Sequence, residues 1–173
     1  MPKIIFVSGV HGVGKSTLCA NLSEKFGWAH YSCSDLIKQN SDYVESSKLV
    51  STADKNQQAL LRGISQLTKE IVLLDGHFCL LDKDEQVIEL PFEVFDAISP
   101  SAILIVTCDE ATIHQRLKQR GGHVLDLDKI IELQQHEVDR SKSYSASANC
   151  KLFEYRSPDA VDELRAEMLE LSV

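Results

Sequence analysis

The sequence predicts an α/β fold, a mainly parallel five-stranded sheet between helical layers. Short apolar runs alternate with longer segments of helical period along almost the whole chain. Two of those runs, "IVLLD" and "AILIVTC", are apolar on both faces, as strands buried between two layers are. The length, 173 residues with 43% hydrophobic, suits one domain over 1–173 with a single core.

The strands are expected at Lys3–Ser8, Trp28–Ser32, Ile71–Asp75, Ala102–Cys108 and Cys150–Tyr155. Between the first two, Lys15–Phe26 carries Leu18, Leu22 and Phe26 at i, i+4 and i+8, and Gly27 offers a left-handed stop. A second helix spans about Asp35–Asn40. A third, after a polar loop, takes Ser51 or Thr52 as its cap and buries Leu60, Ile64 and Leu67.

In the last helix, Ser157 caps, Pro158 suits the first position, and Val161, Leu164, Met168 and Leu171 form one apolar face. The stretch "HFCLLDKDEQVIELP" breaks the alternation. Phe78–Leu81 and Val87–Leu90 read as short strands around the charged turn Asp82–Gln86, an inserted hairpin.

Charge sets limits on partners. Eighteen basic against 26 acidic residues leave a net charge of −8, which repels polyanions and argues against nucleic acid. No apolar run reaches the ~20 residues of a membrane helix, and no charged leader precedes one, so a cytoplasmic protein without membrane association is expected. The five cysteines, Cys19, Cys33, Cys79, Cys108 and Cys150, include no C-x-x-C pair and read as reduced apolar residues.

The stretch "GVHGVGKS", directly after the first strand, matches G-x-x-x-x-G-K-[ST] at Gly9, Gly14, Lys15 and Ser16. By amino-acid frequency a chance match in a chain of this size is about one in a hundred, before strand and helix context is required. Glycines turn successive N–H groups inward as an anion nest, the following helix adds the positive end of its dipole, and Lys15 reaches the outer phosphates.

The fold class is therefore the three-layer P-loop NTPase fold. The expected cofactors are ATP and Mg²⁺, with Gly9, His11, Gly12, Val13, Gly14, Lys15, Ser16 and Thr17 around the nucleotide. Ser16 and Asp75, at the end of "IVLLD", are the metal candidates; Asp75 is otherwise a strand-terminal turn residue.

Together "GVHGVGKSTL", "YSCSDLIK" and "LLDG" resemble the small nucleoside monophosphate kinases, adenylate-kinase-like proteins in particular, over most of the chain. The resemblance implies an ATP-dependent phosphotransferase with an acceptor-binding segment at about 33–69 and a lid at about 116–140. It places Ser34, Asp35 and Lys38 at the acceptor, with Lys38 where the family has arginine, so the bidentate fork is lost.

In the related polynucleotide-kinase branch an aspartate in a similar place is a base toward an acceptor hydroxyl; Asp35 is that base or a helix cap. The family's "DGFPR" stands here as "DGHFC", so an arginine is missing. His77 contacts the acceptor, orients Asp75 or is structural; Phe78 stacks on a base or fills core.

Arg116 and Arg120, four apart and followed by Gly121-Gly122, resemble the family's R-L-x-x-R lid, whose arginines stabilise transferring phosphate. Arg140 is the lid's further arginine or a solvated helix residue. The loop Arg156-Ser157-Pro158-Asp159 matches the family's donor-base loop.

Three readings follow. In the first, the chain is a Mg²⁺-dependent kinase moving the γ-phosphoryl of ATP to a small-molecule nucleotide acceptor, with Lys15, Arg116 and Arg120 catalytic. The second is a P-loop kinase for a hydroxyl on a metabolite or nucleic-acid end, with Asp35 as base. The third is an ATP-binding switch or assembly factor that docks a protein partner through the 78–90 hairpin.

Overall fold

A computed structural model describes residues 1–43 and 51–172; the rest of the polar loop, inside the expected acceptor segment, lies outside the described residues. The chain runs β1 (Lys3–Ser8), α1 (Lys15–Phe26), β2 (Ala29–Ser32), α2 (Cys33–Asn40), α3 (Thr52–Ser65) and β3 (Ile71–Gly76). It continues through β4 (Cys79–Leu81), β5 (Val87–Glu89), α4 (Phe92–Ile98), β6 (Ala102–Cys108), α5 (Glu110–Arg120), α6 (Leu127–Ala148), β7 (Lys151–Ser157) and α7 (Asp162–Met168).

Five strands form one sheet in the order β2-β3-β1-β6-β7, every neighbour parallel. Two apolar clusters cover its faces because strand side chains alternate. From β1, Ile5 and Val7 join Leu18, Leu22, Ile113 and Ile130 on one side. Ile4 and Phe6 join Leu36, Leu60, Phe95 and Tyr144 on the other. The carboxyl ends of β1 and β3 meet in register, Val7 opposite Asp75 and Ser8 opposite Gly76, so the glycine-rich loop and the end of "IVLLD" open side by side.

The hairpin β4–β5 is antiparallel and separate from the main sheet. Its turn is closed by Asp82 Oδ1, which accepts from the N–H groups of Asp84 (2.8 Å) and Gln86 (2.9 Å).

Four elements differ from the sequence expectation. The β6–β7 ladder runs on to Cys108 opposite Ser157, so Ser157 ends a strand instead of capping a helix. A turn from Arg156 to Asp159 follows, and α7 begins only at Asp162; Leu171 falls in a terminal 3₁₀ turn. Helix α2 starts at Cys33 because Ser32 caps it, accepting from Asp35 N–H at 3.2 Å. Helix α4 was not anticipated: it has seven residues and buries only Phe95 and Ile98, too few for a periodic signal.

Candidate active site

The loop between β1 and α1 is shaped by backbone that only glycine adopts easily. Gly9 has φ 153°, and a Cβ there would lie 2.6 Å from the Val106 carbonyl oxygen; Gly14 has φ 100°. Helix α1 opens on Gly14 with no side-chain cap and no acidic residue in its first turn. Each other described helix carries at least one acid in its first turn. The amides and the positive dipole end of α1 are thus left for an external anion. Ser16 and Thr17 are exposed on that turn, as is His11 on the loop; Gly12 and Val13 are buried beneath it.

Lys15 is buried and donates to the Gly9 carbonyl, the Gly76 carbonyl (3.4 Å) and His77 Nε2 (3.0 Å). An ammonium has no lone pair, so His77 Nε2 accepts and the ring proton sits on Nδ1. Burial, with Lys15 and His11 beside it, pushes the His77 pKa down to about 3. The His11 ring lies 4.6 Å from that of His77, and although the residue keeps an exposed edge, partial desolvation of the ring lowers its pKa too, with Lys15 and Arg120 adding to the effect. Burial also lowers Lys15, against the pull of Glu137 and Asp75.

Asp75, next to last in β3, pairs with Ser32 of β2, and its Oδ2 accepts from His30 Nε2 at 2.5 Å. His30 sits on β2 two residues before Ser32, which is opposite Asp75. Cys19, buried one turn beyond Ser16 on α1, completes a group with His30 and Asp75 whose donor atoms lie within 4.8 Å of one another. Burial raises the Cys19 thiol to about 12, so it remains protonated there.

Helix α6 fixes the geometry from behind. Gln134, Glu137 and Ser141 are polar residues on its buried face. Gln134 exchanges two hydrogen bonds with the Cys108 backbone, and the Ser141 hydroxyl meets that of Ser8 at 2.9 Å. Glu137 is 1% exposed and accepts from the N–H groups of Phe78 (2.7 Å) and Cys79 (2.9 Å), pinning the chain just after His77. Burial raises its pKa to about 7, opposed by those two N–H groups and by Lys15. Glu137 and His30 are site residues beyond those expected from the sequence. Their signals were a carboxylate on the apolar stripe of α6 and a histidine in a strand; only the first is distinctive.

The acceptor candidates share the exposed side of α2. Ser34, Asp35 and Lys38 are exposed, while Leu36 and Asn40 face inward. Ser34 Oγ lies 2.7 Å from Ser32 Oγ. Ser32 caps α2 through its hydroxyl, and Asp35, three residues on, is the acid of its first turn, a position that itself favours a carboxylate. Arg116 Nη1 donates to the Gly12 carbonyl at 2.9 Å, which brings α5 onto the loop. Arg120, one turn on, is exposed.

Two side chains lie elsewhere. Arg140 donates to the Leu90 carbonyl (2.9 Å), lies 3.5 Å from Glu89 and stacks at 3.9 Å over Phe92, so its guanidinium holds the hairpin. That corrects its expected place as a lid arginine toward the substrate. Phe78 is buried against Phe6, Phe95 and Tyr144 as core, with no face left for a base.

The fold and the loop define a P-loop protein, and the kinases it is related to make it an ATP-dependent phosphotransferase. The chain belongs to the family described as AAA domain (AAA_17), whose model matches residues 8–134.

It is similar to adenylate kinase isoenzyme 1 of Homo sapiens, 29% identical over 139 residues that cover 75% of this chain and 72% of the relative. Adenylate kinase isoenzyme 5 of Homo sapiens is 30% identical over 132 residues, 73% of this chain, which spans only about a quarter (24%) of that longer relative. UMP-CMP kinase 3 of Oryza sativa subsp. japonica is 30% identical over 137 residues, 71% of this chain and 61% of its own. A solved gluconokinase from Sinorhizobium meliloti 1021 superposes with TM-score 0.54 at 16% identity, over 99% of this chain and 91% of that one, a likeness of fold. Among the described residues no helix is long and apolar enough to cross a membrane.

Proposed function

We propose that the protein is a small Mg²⁺-dependent kinase that transfers the γ-phosphoryl of ATP to a nucleoside monophosphate or similar nucleotide. The carrying observation is the uncapped, acid-free start of α1 beside the buried Lys15, a cradle for a triphosphate. Similarity to adenylate and UMP-CMP kinases supports a nucleotide acceptor.

In this reading Lys15 exchanges its carbonyl and imidazole partners for phosphate oxygens. Ser16 and Asp75 offer a hydroxyl and a carboxylate, the hard oxygen donors Mg²⁺ takes, and His30 fixes one oxygen of Asp75. When bound, the ion neutralises charge on the β- and γ-phosphates. Arg116, already against the loop, and Arg120 add cationic charge where the equatorial oxygens of the transferring group lie. Ser34, Asp35 and Lys38 present hydroxyl, carboxylate and ammonium groups to the acceptor from one exposed side of α2.

One observation favours a second reading, transfer to a hydroxyl: the Asp35 carboxylate is exposed and is not the cap of its helix. A coupled assay of ADP release across nucleoside and deoxynucleoside monophosphates tests the first reading. Turnover above the water background is expected with at least one. If none raises it, the acceptor is not a nucleotide. Asp35→Asn separates the two readings: a hydroxyl kinase loses kcat, and a nucleotide kinase chiefly loses acceptor affinity.

A further inference from the structure

A cavity of about 340 Å³ lies against the glycine-rich loop, beneath the hairpin and between α5 and α6. Leu80 and Leu81 of β4, Leu117 of α5 and Leu133 of α6 wall it, and His11 and His77 stand at its loop end. His77 is the residue whose Nε2 accepts from Lys15, so that end opens toward the phosphate-binding lysine. The hairpin wall is itself held in place, by Glu137 at Phe78 and Cys79 and by Arg140 at Leu90.

We propose that this cavity is a binding site for a small uncharged molecule with an alkyl or aryl body and a single hydroxyl head, the body among the leucines and the head at the two imidazoles. The walls offer branched aliphatic carbon and no ring of donors and acceptors. A nucleobase, whose edge carries several polar atoms, would leave them without partners there, and an apolar body leaves none. With Nε2 of His77 turned to Lys15, its Nδ1–H is left to donate and a ring nitrogen of the adjacent His11 to accept, and a hydroxyl is the head that matches both. With a triphosphate on the neighbouring loop a second anion at that end would be repelled, and a hydroxyl would not. The proposal goes beyond the nucleotide acceptor reading and does not depend on it: the expected acceptor residues are on α2, while this site is formed by the hairpin, α5 and α6.

Methyl-labelled protein (Ile, Leu and Val) titrated with 4-phenylbutan-1-ol tests it, with adenosine as the polar-edged comparison. The expected result is a saturable shift of the Leu80, Leu81, Leu117 and Leu133 methyls together with the His11 and His77 ring signals, and affinity at least ~10-fold above that for adenosine. Leu133→Trp fills the space and should abolish the shifts. Should that variant unfold, Leu80→Arg, at a position 46% exposed, should weaken binding while the fold survives. Shifts scattered outside the cavity, adenosine moving the same methyls as strongly, or undiminished binding in whichever of these variants folds overturns the assignment.

Discussion

Lys15 Nζ lies 3.0 Å from His77 Nε2, so the lysine expected to hold phosphate is tethered to the residue that follows the Asp75-Gly76 strand end. His77→Ala removes one of three acceptors around a buried ammonium. A loss of about 1–2 kcal/mol, or about 3–8 °C in Tm, is expected. Saturating ATP should narrow the gap to wild type, because phosphate oxygens accept the same protons. Thermal unfolding with and without ATP checks this; an unchanged gap would separate the contact from the phosphate site.

Arg116 bonds the Gly12 carbonyl, which allows it to act on the transferring group or merely to brace the loop. Acting on the group, Arg116→Ala should lower kcat by about 10²-fold or more, with a much smaller change in KM for ATP. Initial rates across ATP concentrations decide. A purely structural brace would instead raise KM and lower Tm with kcat largely kept.

His30 holds Asp75 at 2.5 Å. Removing that partner should leave the carboxylate poorly oriented, so His30→Ala is expected to raise the Mg²⁺ concentration for half-maximal rate by about 10-fold, as partners behind metal ligands do. Chelation by EDTA should abolish turnover in both proteins. Rates measured over a Mg²⁺ series test it, and identical curves would remove His30 from the metal site.

Glu137 gives a pH dependence whose sign follows from burial. Its pKa is raised to about 7 in the fold, so between about 4.5 and 7 the native state binds more protons than the unfolded chain, and stability falls as pH rises through that window. Glu137→Gln cannot titrate. Relative to it, wild type should lose about 1–3 kcal/mol from pH 5 to pH 8. Tm profiles of both proteins show whether the difference changes over that range; a constant difference contradicts the raised pKa.

The sheet was legible because β1, β3 and β6 are apolar on both faces, and the phosphate cradle because glycine spacing encodes a backbone shape locally. What stayed hidden depends on long-range contacts. His30 meets Asp75 only because β2 pairs with β3, and Glu137 reaches Phe78 and Cys79 across 59 and 58 residues of sequence. Arg140 reads like a lid arginine until the hairpin is seen to occupy its guanidinium. The Ser157-Pro158 pair carries a helix-start pattern, but ladder pairing with Cys108 overrides it.

The most direct measurement is calorimetric ATP binding together with steady-state turnover for Lys15→Ala. Loss of the ammonium from the cradle should weaken ATP by about 10-fold or more and lower turnover by at least about 10²-fold. Wild-type affinity and wild-type turnover in that variant would contradict the account at its base.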